Sequence, residues 1–246
     1  MKAAERIRLT VLGCGSSPGV PRIGGDWGNC DPENPKNRRL RTSLLVEGFT
    51  GDSKTVVVID TGPDFREQML SANIGWADGV LYTHPHADHC HGIDDLRSFV
   101  INRRQRVQIY ADATMQARLD EGFGYCFKTP EGSQYPPILE ANAIELGKPI
   151  VIEGEGGSLT FTAFPQHHGS IISLGFRIGD FAYSSDISAI HDNSHDFLAG
   201  LDLWIVDALQ YKSHMSHFSL SEALDAIDHF DPKQAVLPHM HTPLDY

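Results

Sequence analysis

The stretch from Thr83 to His91 reads Thr-His-Pro-His-Ala-Asp-His-Cys-His, and four of its side chains, His84, His86, Asp88 and His89, could bind metal. Imidazole together with carboxylate suits zinc, manganese or iron better than it suits calcium or magnesium alone. The spacing is too tight for one face of a helix, where ligands recur three or four residues apart. On a loop leaving a strand, alternate residues point the same way. His84 and His86 can therefore converge on one ion, while Asp88 and His89 turn toward a second. The apolar run Gly79-Val80-Leu81-Tyr82 just before reads as the short buried strand that holds this loop. The bland alternative is a polar loop rich in histidine, and the specific His-x-His-x-Asp-His order speaks against it.

That order resembles the signature of the metallo-β-lactamase superfamily. Around it the chain resembles the phosphodiesterase branch, which includes tRNase Z and the PhnP-type cyclic phosphodiesterases. The resemblance covers essentially the whole chain. It implies an α/β fold, the metallo-β-lactamase αββα sandwich, with two divalent metal ions (Mn²⁺ or Zn²⁺) and hydrolase chemistry. It also implies which later residues complete the site. The family's third histidine precedes a Gly-aromatic pair, here Gly175-Phe176, so His168 fits and His167 is one residue off. Asp186, at a strand end, matches the family's bridging aspartate. The last ligand falls on His239, in Leu237-Pro238-His239, where tRNase Z-like sequences have Leu-Thr before the histidine. His241 competes for that role or else touches the substrate phosphate.

The same resemblance extends to Ser216-His217-Phe218-Ser219, similar to the His-x-Thr motif of tRNase Z with Ser219 in place of threonine. It makes His217 the catalytic histidine and Asp207 its acidic partner, since a carboxylate keeps an imidazole protonated and oriented. Their bland alternative is a pair of polar residues at a strand end and a helix end. The glycine-rich turn Gly13 to Gly19 borders the active site in that family, which gives Ser16 a place lining the substrate pocket. In Asp60-Thr61-Gly62 the aspartate either buttresses the metal loop by accepting from a ligand histidine or caps the helix starting near Pro63. PhnP-type enzymes carry a cysteine cluster in the loop corresponding to residues 20 to 41. Here that loop holds only Cys30, with Cys14 before it, so a closed structural zinc site is not expected.

Several elements must position these residues. Arg6 to Leu12 alternates as a half-buried strand, and Ser43 to Glu47 and Thr55 to Ile59 read as a hairpin turning over Gly48 to Ser53. Helices are expected over Asp64 to Ala72, His91 to Phe99 and Ala113 to Gly122, with a strand at Val107 to Tyr110. Later strands are expected at Leu159 to Phe164, Leu174 to Ile178, Phe181 to Tyr183, Leu203 to Val206 and Ala235 to Leu237. Ser219-Leu220-Ser221-Glu222 is a capping box opening a helix to Phe230. Residues 122–137 turn to Gly, Pro, aromatic and polar types. They read as an inserted loop that could act as a lid, where Tyr125, Phe127 and Tyr135 either stack on a base or pack the loop down.

A length of 246 residues suits a single domain spanning 1–246. Residues 1–6 are polar and lead into a strand, with no signal peptide or long apolar run, so a cytoplasmic protein with no membrane partner is expected. The four scattered cysteines read as reduced thiols. A net charge of −12, relieved only by the basic runs Lys36 to Arg41 and Arg103 to Arg106, disfavours a long polyanion such as nucleic acid. The expected function is a binuclear metal-dependent phosphodiesterase acting on small nucleotide or ribosyl phosphodiesters, cyclic ones included. One alternative, a tRNA 3′-processing enzyme, needs a basic arm that the sequence lacks. Another is a non-catalytic, metal-containing nucleotide-binding protein, against which the Asp207–His217 pairing speaks. A homodimer is left open.

Overall fold

The computed structural model describes residues 2–246. Two compact units emerge. The first takes the residues up to Leu12, Ser43–Glu145 and Ile150–Thr160; the second takes Gly13–Thr42, Leu146–Pro149 and Phe161–Tyr246. Among the described residues no helix is long and apolar enough to cross a membrane.

The first unit holds β1 (Arg6–Gly13), β2 (Ser43–Thr50), β3 (Ser53–Ile59), α1 (Phe65–Ala72), β4 (Gly79–Leu81), α2 (Ala87–Cys90), α3 (Arg97–Arg103), β5 (Val107–Ala111), α4 (Ala113–Phe123) and β6 (Leu139–Ala143), with the short strand β7 (Pro149–Ile152) after them. Strands β1 to β6 lie side by side in chain order. The β2–β3 hairpin is tighter than the sequence implies: Thr50 faces Ser53, and Gly51 turns the chain at φ 57°. A two-residue hairpin loop needs positive φ, which glycine adopts without steric cost. From β3 through β6 the strands are parallel. Strand β4 is central in its sheet, and its three buried residues form the apolar run expected of a strand covered on both faces.

Parallel neighbours release their chains at the same edge. The register Ile59↔Leu81 therefore sets Asp60 beside Tyr82 and Thr83, at the edge where open α/β sheets bind ligands. The helix expected over His91 to Phe99 is instead broken into α2, a 3₁₀ turn at Ile93–Leu96, and α3. Gly92 marks the break. A Cβ there would lie 2.1 Å from the Gly62 carbonyl oxygen, because Gly92 N–H donates to Thr61 O and Thr61 N–H donates to His89 O, each at 2.8 Å.

The second unit holds β8 (Leu159–His168, whose first two residues belong to the first unit), β9 (Ile171–Ile178), β10 (Phe181–Ser184), β11 (Ala189–Ile190), α5 (His195–Leu198), β12 (Leu203–Val206), α6 (Leu220–Phe230) and β13 (Gln234–Val236). Its sheet runs in the order β11-β8-β9-β10-β12-β13. Strands β8 and β10 are each antiparallel to β9, and β10, β12 and β13 are mutually parallel. The C-terminal ends of β8, β10, β12 and β13 thus share one edge, which delivers His168, Asp186, Asp207 and His239 together. Trp204 anchors the core beneath, fully buried with its indole N–H donating to Ser184 Oγ at 2.9 Å. The capping box at the start of α6 forms as expected.

Candidate metal centre

In the first unit the loop after β4 is organised by one buried carboxylate. Asp60 accepts from Thr83 N–H at 2.9 Å, from Thr83 Oγ–H at 2.8 Å and from His89 Nδ1–H at 2.7 Å. The turn-capping alternative for Asp60 is thereby displaced. Thr83 gives its only hydroxyl proton to Asp60, so its oxygen accepts from His84 Nδ1–H, 2.9 Å away. One carboxylate therefore fixes two tautomers, leaving the Nε2 lone pairs of His84 and His89 for other partners. Burial pushes the Asp60 carboxyl above its ordinary range, while His89 and the Thr83 donors pull the other way. His84 Nε2 lies 3.0 Å from His86 Nδ1. Two ligands on a tetrahedral cation, with bonds of about 2.0–2.1 Å, sit about 3.3 Å apart, so this spacing fits a shared cation. Asp88 Oδ2 stands 3.4 Å from His89 Nε2. His84 and His89 are buried, Asp88 half-buried and His86 exposed.

In the second unit Asp186 is the hub. Its oxygens lie 3.7 Å from His168 Nε2, 4.0 Å from His217 Nε2 and 3.1 Å from His239 Nδ1. The first two spacings are too long for hydrogen bonds; that of His168 suits two side chains that share a cation, in a group of possible ligands that leaves out His217. His168 Nδ1–H donates to Ser216 O at 2.5 Å, which directs Nε2 inward. His167 is exposed and stacks on His191, so strand alternation turns His167 outward and His168 inward. Thr42 Oγ–H donates to Gly15 O at 3.0 Å and so accepts from His239 Nδ1–H at 3.1 Å. His241 does not approach Asp186 in this way; its Nδ1 pairs with the buried Ser16 Oγ at 2.8 Å. Desolvation, then the Arg22 and His239 charges, holds the His241 imidazole below its usual range.

His217 Nδ1–H donates to Asp207 Oδ2 at 2.7 Å. Asp207 is fully buried and also accepts from Ile187 N–H at 3.2 Å, and its Oδ1 has no hydrogen-bond partner among the described residues. Burial pushes this carboxyl up, against the pull of the His217 hydrogen bond. His217 is held in place by its neighbours: Phe218 is buried and exchanges backbone contacts with Leu209 and Ile187, and Ser219 closes the capping box.

Backbone conformation singles out the same residues. Among the described residues six non-glycine residues take positive φ. Asn73, Arg104 and Asp231 are helix C-caps, where that conformation is common. The others are Asp60 at 65°, Asp186 at 54° and His239 at 63°. Left-handed backbone at an ordinary residue costs about 1–3 kcal/mol and gathers at functional sites. Sequence reasoning missed Thr83, Thr42 and the Ser216 carbonyl. Thr83 adjoins the first histidine and was open to notice; the other two carry no sequence signal.

Residues 55–240 match the model of the beta-lactamase superfamily domain. A curated relative, the octanoyltransferase of Porphyromonas gingivalis, is 32% identical over 243 residues, 97% of this chain and 47% of the relative. The chain thus spans about half the length of that protein. A solved diphosphatase from the PhnP family is 36% identical, with 97% of this chain and 88% of that one aligned at a TM-score of 0.85. Zn²⁺-bound PqqB from Methylobacterium extorquens is 16% identical over 97% of this chain and 90% of that one, at a TM-score of 0.72, a likeness of fold. The αββα fold expected from the sequence is the fold these matches share, and divalent metal binding comes with it. By both the domain match and the 36% identity, the chain belongs to the metallo-β-lactamase superfamily of hydrolases, in its PhnP family.

Proposed function

We propose that the protein is a binuclear metal-dependent phosphodiesterase that cleaves small, nucleotide-type phosphodiester or diphosphate links. The observation that carries this reading is the Asp207–His217 pair at 2.7 Å, a fully buried carboxylate on a half-buried imidazole whose outer nitrogen lies 4.0 Å from Asp186. In this reading His84, His86 and His168 hold one ion, Asp88, His89 and His239 hold the second, and Asp186 is shared. Bound divalent metal supplies Lewis acidity and a water of lowered pKa.

The chain's own residues do the rest. Asp60, through Thr83 and directly, keeps protons on His84 Nδ1 and His89 Nδ1. The Ser216 carbonyl does the same at His168. His217, charged and steadied by Asp207, gives its Nε2 proton to the departing oxygen. Ser16 and His241 line the substrate side. The likeness to a diphosphatase supports phosphoryl chemistry. Acyl transfer through a thiol is poorly served: all four cysteines are buried or half-buried, and burial pushes the Cys126 thiol up to about 11. Phosphoryl transfer asks mainly for positioning and charge stabilisation, which this donor set provides.

The test is a substrate comparison under metal-replete conditions. Methyl p-nitrophenyl phosphate is expected to turn over, p-nitrophenyl octanoate and a chromogenic cephalosporin are not, and precursor tRNA is expected to show no retention in a gel. Ester or lactam hydrolysis without phosphodiester turnover overturns the reading. A second expectation concerns Asp60→Asn. Asparagine tolerates positive φ as well as aspartate, so the backbone is spared while the charge behind His84 and His89 is lost. Metal affinity is expected to fall about 10–100-fold, read by competition with a chromogenic chelator; unchanged affinity removes Asp60 from this role.

A further inference from the structure

We propose that a groove between α3 and residues 125–138, within the first unit, is the seat of a nucleobase. This rests on the phosphodiesterase reading and names the organic half of its substrate. Phe127 packs against the core as a loop aromatic usually does, whereas Tyr125 is 44% and Tyr135 78% exposed. Both rings therefore keep a face open to solvent, with the Tyr125 hydroxyl tied to Asp94. They flank a cavity of about 360 Å³, completed by Arg97, Pro130, Ser133 and Pro136. It continues, through Arg97, Tyr135 and Pro136, into a second space of about 570 Å³ with Arg104 and Arg106 on its rim.

The groove is built in advance of any ligand. Asp94 Oδ1 accepts from Arg97 Nη2 at 2.8 Å and fixes the guanidinium plane. Thr129 Oγ–H donates to Tyr135 O at 3.1 Å, and Tyr135 N–H donates to Ser133 Oγ at 3.2 Å. Prolines 130, 136 and 137 remove backbone freedom from the same segment. Little ordering is left to oppose binding. Two phenol rings and a fixed guanidinium offer flat faces to a planar π system, the means by which proteins hold bases without reading sequence. Arg97, Arg104 and Arg106 line this groove on a chain of net charge −12, which favours a base that carries phosphate.

The groove also borders the metal loop in its own unit. Arg97 opens α3, directly after the 3₁₀ turn at Ile93–Leu96 that follows the metal loop. The His91 ring meets the Phe123 ring at 5.6 Å, two residues before Tyr125.

The test compares two esters with one leaving group: thymidine 5′-(p-nitrophenyl phosphate), which has a base, and methyl p-nitrophenyl phosphate, which has none. In the Tyr125→Ala/Tyr135→Ala variant the ratio of kcat/KM for the thymidine ester to that for the methyl ester is expected to fall roughly 5- to 100-fold, the loss typical of one stacked base. Tyr125→Phe/Tyr135→Phe keeps the rings and is expected to restore the ratio. A ratio unmoved by the alanine variant overturns the proposal, as does failure of phenylalanine to restore it. If the unmodified protein turns over neither ester, the phosphodiesterase reading has failed. The groove is then decided by calorimetric titration with thymidine 5′-monophosphate against ribose 5-phosphate, where equal binding in unmodified and alanine forms rejects it.

Discussion

Replacing Asp186 with asparagine is expected to strip the protein of metal and of hydrolase activity in one step. The proposed assignment gives this carboxylate to both ions, and it is the one acidic group with His168, His217 and His239 around it. Asparagine is close to isosteric, and it accepts the left-handed backbone at φ 54° as readily as aspartate does. The fold is therefore spared, while the negative charge that draws a cation is removed. Charge stabilisation by metal is worth several kcal/mol, so turnover is expected to drop by about 10³-fold or more. Elemental analysis of the purified variant should find at most one ion per chain, against the two that the proposed assignment gives the unmodified protein. Calorimetry supplies an independent reading. A chelator should lower the melting temperature of the unmodified protein, because metal bound only to the native state stabilises it by mass action, and should leave the variant's nearly unmoved. Full metal content in Asp186→Asn would remove Asp186 from the centre of the site.

The part of this site that is local in sequence was legible from sequence. Residues 84–89 sit on one loop after one short apolar strand, so type and spacing alone announce them. Asp60 was half legible: its place at a strand end was visible, but choosing between cap and buttress required the parallel register Ile59↔Leu81. The late residues were legible only through the family resemblance, because single histidines after short strands look alike. The inward face of His168 comes from β8 running on through Pro165 to His168, beyond the end at Phe164 that the sequence suggests. In an antiparallel ladder only alternate N–H groups point at a given neighbour, so one proline on such a strand need not break its pairing. The broken helix after the metal loop hid behind Gly92, whose need is a close approach to Gly62 from far earlier in the chain. Strand β6 was missed because it has no run of β-branched residues; it reads Leu-Glu-Ala-Asn-Ala and lies at its sheet's edge. Strand β7 does carry Ile-Val-Ile, but the run is short and opens on a proline. Positive φ at Asp60, Asp186 and His239 leaves no mark in composition, since it is imposed by the chain around them.

His217→Ala is expected to lower kcat by about 10²–10⁴-fold, the usual contribution of a positioned acid or base, with metal content retained. The sharper reading comes from the leaving group. A p-nitrophenolate departs without a proton, whereas a sugar alkoxide cannot. If His217 supplies the proton, the variant should lose far more on an alkyl or nucleoside leaving group than on p-nitrophenol. A residue that merely held the loop would hurt both alike. Asp207→Asn should show the same dependence in weaker form. The amide oxygen can still accept from His217 Nδ1–H at the 2.7 Å position, but it no longer stabilises the imidazolium. The unpaired Oδ1 of Asp207 is the reason to expect a cost from charge rather than geometry: this carboxylate is buried without a full set of donors, so much of its field falls on His217. Residues acting as a unit lose their effect together. The double variant should therefore be little worse than His217→Ala alone, and additive losses would mean that Asp207 acts elsewhere.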